Sequence, residues 1–246
     1  MDGRAGNIRL IVRRTAVLAA ALALVPGVAR AQAYQCRVPQ GPISVPAIER
    51  DGPVRQVPVT GYTLALTWAP EYCRFRQDRA ADRRQCSGRS GRFGFTVHGL
   101  WPEGRGMAWP QWCPAARGPS ARELAPNLCM TPSATLLAHE WAKHGACMVS
   151  APDKYFKVTR ILWNSLRWPD YDRIARKDGL TAGEIRRAFA DANRYWEPEH
   201  VGLVVNERGW LWEMRLCYGK DFMPTRCDSR RFGPRDSAPV KIWRGL

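Results

Sequence analysis

Histidine is scarce in this chain, with four in 246 residues, so any chemistry that needs several imidazoles must draw on nearly all of them. No two of the eight cysteines are spaced Cys-x-x-Cys, and the run that holds two of the histidines reads HEWAKH rather than HExxH. The first absence argues against a cysteine zinc site, and the second against the helical zinc site of a metalloprotease. Acidic residues are in deficit, 22 Asp and Glu against 38 Lys and Arg, for a formal charge of +16. Such an excess disfavours cationic partners and favours polyanions such as RNA or an anionic surface, without choosing among them. There is no internal repeat and no composition break that would mark a second domain.

The one sustained apolar run is TAVLAAALALVPGV, behind Arg9, Arg13 and Arg14 and ahead of small-x-small sites at residues 29–33. It is too short, and too closely followed by those sites, for a membrane span, and it reads as an export signal over residues 1–33. Arg13-Arg14 resembles a twin-arginine signal, but the residues after it fit that pattern poorly, so the general secretory route is expected. Residues 1–33 carry five Arg and one Asp, so the mature chain keeps +12 of the +16. Export makes Cys36, Cys73, Cys86, Cys113, Cys129, Cys147, Cys217 and Cys227 legible as four disulfides, since all lie in the mature part. Sequence alone allows about 105 pairings of eight cysteines.

Residues 34–246 suffice for a single domain. Residues 34–60 are rich in proline and read as an extended arm tied down at Cys36. YTLALTW, 62–68, is β-prone and leads into an arginine-rich loop between Cys73 and Cys86. GRFGFTVHG, 91–99, reads as a short strand delivering His98 at its end, and 102–132 as irregular surface. Helical signals then dominate. Tyr155, Phe156, Ile161, Leu162 and Leu166 are at mostly helical spacing in a run ended by Pro169, and Thr181 with Glu184 forms a capping box opening a helix through Phe189. VGLVVN (201–206), WLWEMRLCY (210–218) and KIWR near the end return to β. Sheet on both sides of a helical block predicts one α+β domain.

Two stretches carry chemistry. FTVHGLWPEG holds His98, and LLAHEWAKHGAC holds His139 and His144 with Glu140 and Lys143 between them. Imidazole is the side chain that gives and takes protons near neutral pH. The second stretch predicts a helix over 133–144 with Ser133 as N-cap and Gly145 as a left-handed C-cap residue. At roughly 100° per residue, His139, Glu140, Lys143 and His144 fall near 0°, 100°, 40° and 140°, on one face. Ala138, Trp141 and Ala142 lie opposite. Two imidazoles about 140° apart, with Lys143 beside them, do not converge on a metal ion. Glu140 beside His144 should favour its charged form, and Lys143 beside His139 should oppose it. A helix with a merely solvated charged face accounts for this stretch alone, but not for His98 in its own glycine- and aromatic-rich setting.

HGLWP and HEWAKHGAC, in this order, resemble the two active-site segments of the T2 ribonucleases, a family of secreted endoribonucleases. The similarity extends from about Tyr62 to the C-terminal strands and includes W-x-P-x-x-C at Trp68 to Cys73. The long Cys73 to Cys86 interval is closest to bacterial periplasmic members. The resemblance implies an antiparallel sheet flanked by helices. It makes His98 and His144 the acid–base pair and His139 a phosphate ligand. Glu140 and Lys143 stabilise the reacting phosphorus centre, and Trp101 holds the nucleotide. It also implies bridges Cys73–Cys86, Cys217–Cys227, and Cys147 to Cys113 or Cys129, leaving Cys36 for the last. One departure concerns base recognition: LALTW has Leu66 and Thr67 where many relatives carry glutamine, so base preference does not transfer.

The implied reaction uses the 2′-hydroxyl of RNA as nucleophile, with neutral His144 as base and protonated His98 as acid. It needs no metal and no cofactor, passes through a 2′,3′-cyclic phosphate, and leaves DNA intact. The protein is expected to be an exported monomer, periplasmic or extracellular. Two rival readings are a basic protein that binds RNA without cutting it and an exported zinc hydrolase. The first leaves the five clustered residues unexplained, and the second requires a bound metal.

Overall fold

A computed structural model describes residues 33–37, 42–106 and 108–245, so the expected export signal lies outside the described residues except for Ala33. Among the described residues, six strands form two sheets. β1 (Ala33–Cys36) pairs antiparallel with β3 (Gly91–Phe93) in a two-stranded ribbon. β2 (Gly61–Trp68), β4 (Phe95–Glu103), β5 (Val201–Val205) and β6 (Leu211–Tyr218) form an antiparallel sheet in the order β4-β2-β6-β5. KIWR adds no strand to it and contributes only a parallel bridge between Trp210 and Lys241.

β2 occupies the middle because it is apolar on both faces: Leu64, Ala65 and Leu66 are all fully buried. A strand covered on both sides loses the period-two alternation of a half-exposed one. β4 is an edge strand of this sheet, which is why it tolerates Pro102, paired opposite Tyr62 near its end. The expected strand over 91–99 is divided at Gly94, and β4 runs on to Glu103, so His98 stands inside a strand rather than at its end. Ala65 pairs with Gly99 and Leu66 with Val97. His98 is therefore the extra residue of a β-bulge, the device by which a strand re-aims one side chain.

Three helices of ten or more residues pack on this frame: α1 (Ala134–Lys143), α2 (Pro152–Ser165) and α3 (Ala182–Ala192). α1 and α2 lie against β4, and α3 against β5. Ser133 caps α1, its Oγ accepting from the Leu136 N–H at 3.2 Å. Thr181 and Glu184 form the reciprocal capping box expected of α3. α2 ends at Ser165, before Pro169, and Ile161 faces solvent rather than the core. The expected left-handed Gly145 is also corrected. It opens a 3-10 turn, Gly145–Cys147, and glycine is needed there because a Cβ would lie 2.7 Å from both the Trp141 and Tyr155 rings.

The core runs from the sheet into the helices through Leu64, Leu66, Phe95, Trp141, Tyr155, Phe189 and Met214. Residues 102–132 are not merely surface: Leu124, Asn127, Leu128 and Met130 are buried within them. Arg186 on α3 is fully buried, and its guanidinium donates to the carbonyls of Val201, Phe232 and Pro234 and to Asp236, tying the C-terminal segment to the helix. The four disulfides are Cys36–Cys129, Cys73–Cys86, Cys113–Cys147 and Cys217–Cys227, so the alternative left open for Cys147 resolves to Cys113.

Candidate active site

β4 delivers His98 and Trp101, and the C-terminal half of α1 with the residue after it delivers His139, Glu140, Lys143 and His144. All six meet in one cluster, linked through Glu140, Trp101 and Asp51. Gly99 lets the two elements approach: a Cβ there would stand 1.9 Å from Glu140 Oε2. Tyr155 fixes the strand at this point, its hydroxyl accepting from the Leu100 N–H at 3.1 Å.

Glu140 is the hub. It is buried, its Oε2 accepts from the Trp101 indole N–H at 2.7 Å, and its Oε1 lies 3.2 Å from His139 Nδ1 and 3.9 Å from His98 Nε2. Burial opposes its charge, but the His139 hydrogen bond and the nearby imidazoles hold its pKa below the ordinary carboxylate value. The Trp101 ring contacts two imidazoles, with ring centres 5.1 Å from His98 and 5.7 Å from His144.

The two imidazoles have opposite surroundings. His144 is 7% exposed, and its Nδ1 is buried without a hydrogen-bond partner among the described residues. Burial pushes its pKa down to about 4, with Lys143 and the other imidazoles adding to the fall. His98 is more open, and burial again opposes its charge, but a 2.9 Å contact from Nδ1 to Glu213 Oε2 and the field of Glu140 prevail and raise its pKa. Glu213 Oε1 in turn accepts from Arg215 Nε at 2.8 Å.

His139 stands between two carboxylates, Glu140 at Nδ1 and Asp51 at Nε2, the second at 3.2 Å. The Glu140 hydrogen bond is the main reason that its pKa is raised. Glu140 does favour charged His144, as expected, but the net pKa there falls, whereas that of His139 rises. Burial outweighs Glu140 at His144, and the carboxylates outweigh Lys143 at His139. Lys143 spends its charge on Asp51, with Nζ 2.9 Å from Oδ1, while the Trp112 indole donates to the same oxygen at 3.1 Å.

Asp51 belongs to the proline-rich arm, which reaches the cleft because Arg55 and Gln111 exchange backbone hydrogen bonds of 2.9 Å and Gln111 Nε2 donates to the Pro53 carbonyl. Trp112 has a positive φ of 55°, held by its N–H on the Lys143 carbonyl and by the adjacent Cys113–Cys147 bridge. Of the tryptophans in 101–112, Trp109 is the exposed one, under the Arg55 guanidinium at 4.8 Å. Five others, Trp68, Trp141, Trp163, Trp168 and Trp196, are core. His200 lies outside the cluster and accepts from the Glu197 N–H within its own turn.

Sequence reasoning missed Glu213 and Asp51. Glu213 had a faint signal, a lone carboxylate within the apolar run WLWEMRLCY. Asp51 had none. Among the described residues there is no free cysteine, no cluster of three or more metal-ligating side chains, and no helix long and apolar enough to cross a membrane.

Residues 60–188 match the sequence model of the Ribonuclease T2 family, and the chain belongs to that family. A probable ribonuclease of Haemophilus influenzae is 28% identical over 188 residues, 71% of this chain but 63% of its own length. Ribonuclease I of Escherichia coli is 30% identical over 220 residues, 71% of this chain and 80% of its own. Among solved structures, an RNase-related protein from Calystegia sepium superposes with a TM-score of 0.56 at 23% identity, over 74% of this chain and 98% of its own. That likeness establishes the shared fold.

Proposed function

We propose that this chain is an endoribonuclease that cleaves single-stranded RNA by transphosphorylation with the His98–His144 pair. The observation that carries the reading is that these two imidazoles both contact the Trp101 ring with opposite surroundings: His98 Nδ1 on a buried carboxylate, His144 Nδ1 buried without a hydrogen-bond partner among the described residues. An acid and a base of one reaction need that asymmetry.

In the first step the 2′-oxygen attacks phosphorus, its proton passes to neutral His144, and the bond to the 5′-oxygen breaks as His98 gives that oxygen a proton. The shielding of His144 Nδ1 leaves Nε2 as its working nitrogen. The product is a 2′,3′-cyclic phosphate. In the second step the roles reverse: His98 takes a proton from water, and His144 returns one to the 2′-oxygen, leaving a 3′-phosphate. Charged His139 and Lys143 bind the phosphoryl oxygens, the preorganised electrostatics on which such reactions depend most. The Asp51 carboxylate already sits on these two cations and must yield to the phosphate. Glu140 fixes His139 and Trp101, whose ring borders the nucleotide. No cofactor takes part, and DNA, lacking the hydroxyl, is not cut. The disulfides suit an exported enzyme of the periplasm or cell exterior.

The test is release of acid-soluble nucleotides from yeast RNA in EDTA, with DNA as control. His98→Phe or His144→Phe should lower turnover by at least about 10²-fold while thermal unfolding stays near wild type. Activity lost to EDTA, or retained by either variant, overturns the mechanism.

A further inference from the structure

Neither active-site motif contains Glu213. It comes from β6, 115 residues from His98 in sequence and beyond the central strand β2. Its side chain is 4% exposed, a costly place for a carboxylate unless every lone pair has work. One oxygen meets His98 Nδ1 at 2.9 Å, and the other meets Arg215 Nε at 2.8 Å. With both oxygens engaged, the carboxylate is fixed in rotation as well as position.

The bulge in β4 supplies the other half. An imidazole on an unpaired strand residue has two rotational choices, and the Nδ1 contact selects one of them. Nε2 then points into the cleft, where it lies 3.9 Å from Glu140 Oε1. We propose that Glu213 is a positioning residue for proton delivery: it holds the His98 Nδ1–H and so presents the Nε2–H to the departing 5′-oxygen. This rests on the reading of His98 as the acid. The groups facing His98 are Glu213 and Arg215 from β6, Glu140 from α1, and His144 just beyond that helix. Arg215 opposes the imidazolium while His144 is neutral, Glu140 is shared with His139, and Glu213 is the carboxylate in direct contact. Arg215, whose guanidinium also lies 5.7 Å from the Trp101 ring, keeps Glu213 ionised and oriented.

The experiment uses the full chain with Glu213→Gln, which keeps the shape and removes the charge, and Glu213→Asp, which keeps the charge and shortens the arm. Rates on a short RNA are followed against pH, and the His98 ring signal is titrated by NMR. For Glu213→Gln, the alkaline limb of kcat and the His98 titration midpoint should both move to lower pH. kcat should fall on the order of tenfold on the alkaline side, with KM unchanged. Glu213→Asp should recover part of the limb. A uniform loss at every pH, with limb and midpoint unmoved in a folded variant, would make Glu213 a structural residue only and overturn the proposal. If the wild type cleaves no RNA, the functional reading fails, yet the NMR midpoint still decides the Glu213–His98 link.

Discussion

Asp51→Asn separates what the arm contributes from what the cleft does alone. The amide keeps an oxygen for the Trp112 indole and removes only the charge that faces Lys143 and His139. The Asp51 side chain is 51% exposed, so each of its two ion pairs is screened and worth about 0.2–1 kcal/mol. Substrate phosphate must break both. Their loss in the variant should tighten binding by about 0.4–2 kcal/mol, roughly twofold to thirtyfold in KM for RNA. kcat should hardly change, because Glu140 still faces His139. Raising the salt screens the half-exposed pairs and should narrow the gap between variant and wild type. The assay is initial rate against RNA concentration at two ionic strengths, with inhibition by a 5′-nucleotide in parallel. An unchanged or higher KM would show that Asp51 orders the two cations rather than competing for them.

The pH profile should be bell-shaped. His144, with its pKa lowered to about 4, is neutral above that value, and His98, with its pKa raised by Glu213 and Glu140, keeps its proton to higher pH than an ordinary imidazole. Activity should rise through the first and fall through the second, and a rate that climbs with pH and never falls on the alkaline side would exclude His98 as the acid. Gly99→Ala should push Glu140 off Trp101 and His139, lowering kcat at least about tenfold and costing about 1–3 kcal/mol in denaturant unfolding. Arg186→Ala should cost about 3–5 kcal/mol, because a fully buried cation leaves three carbonyls and Asp236 unpaired, while activity of the folded fraction at low temperature stays intact.

Local chemistry was legible in the sequence. Ser133 and Thr181 announced their helices, β-prone runs marked β2, β5 and β6, and both motifs carried the residues that meet in the cluster. What escaped depends on tertiary contact. The bulge at His98 comes from the register of β4 on β2, which neither strand encodes by itself. Gly145 looked like a C-cap because glycine there usually supplies a left-handed turn, whereas here it makes room for two rings. The net charges of His139 and His144 are not legible in sequence because spacing does not show that the neighbouring Glu140 hydrogen-bonds His139, nor that His144 is buried.

The Cys113–Cys147 bridge has a consequence for the organism that makes this protein. It joins the loop carrying Trp112 to the turn that follows the His144 end of α1, so one wall of the cleft is riveted to the other. In a cytosol rich in glutathione that rivet does not form, and the arm loses the platform on which Asp51 rests. On the proposed reading as an exported ribonuclease, oxidation in the destination compartment closes this bridge and completes that wall.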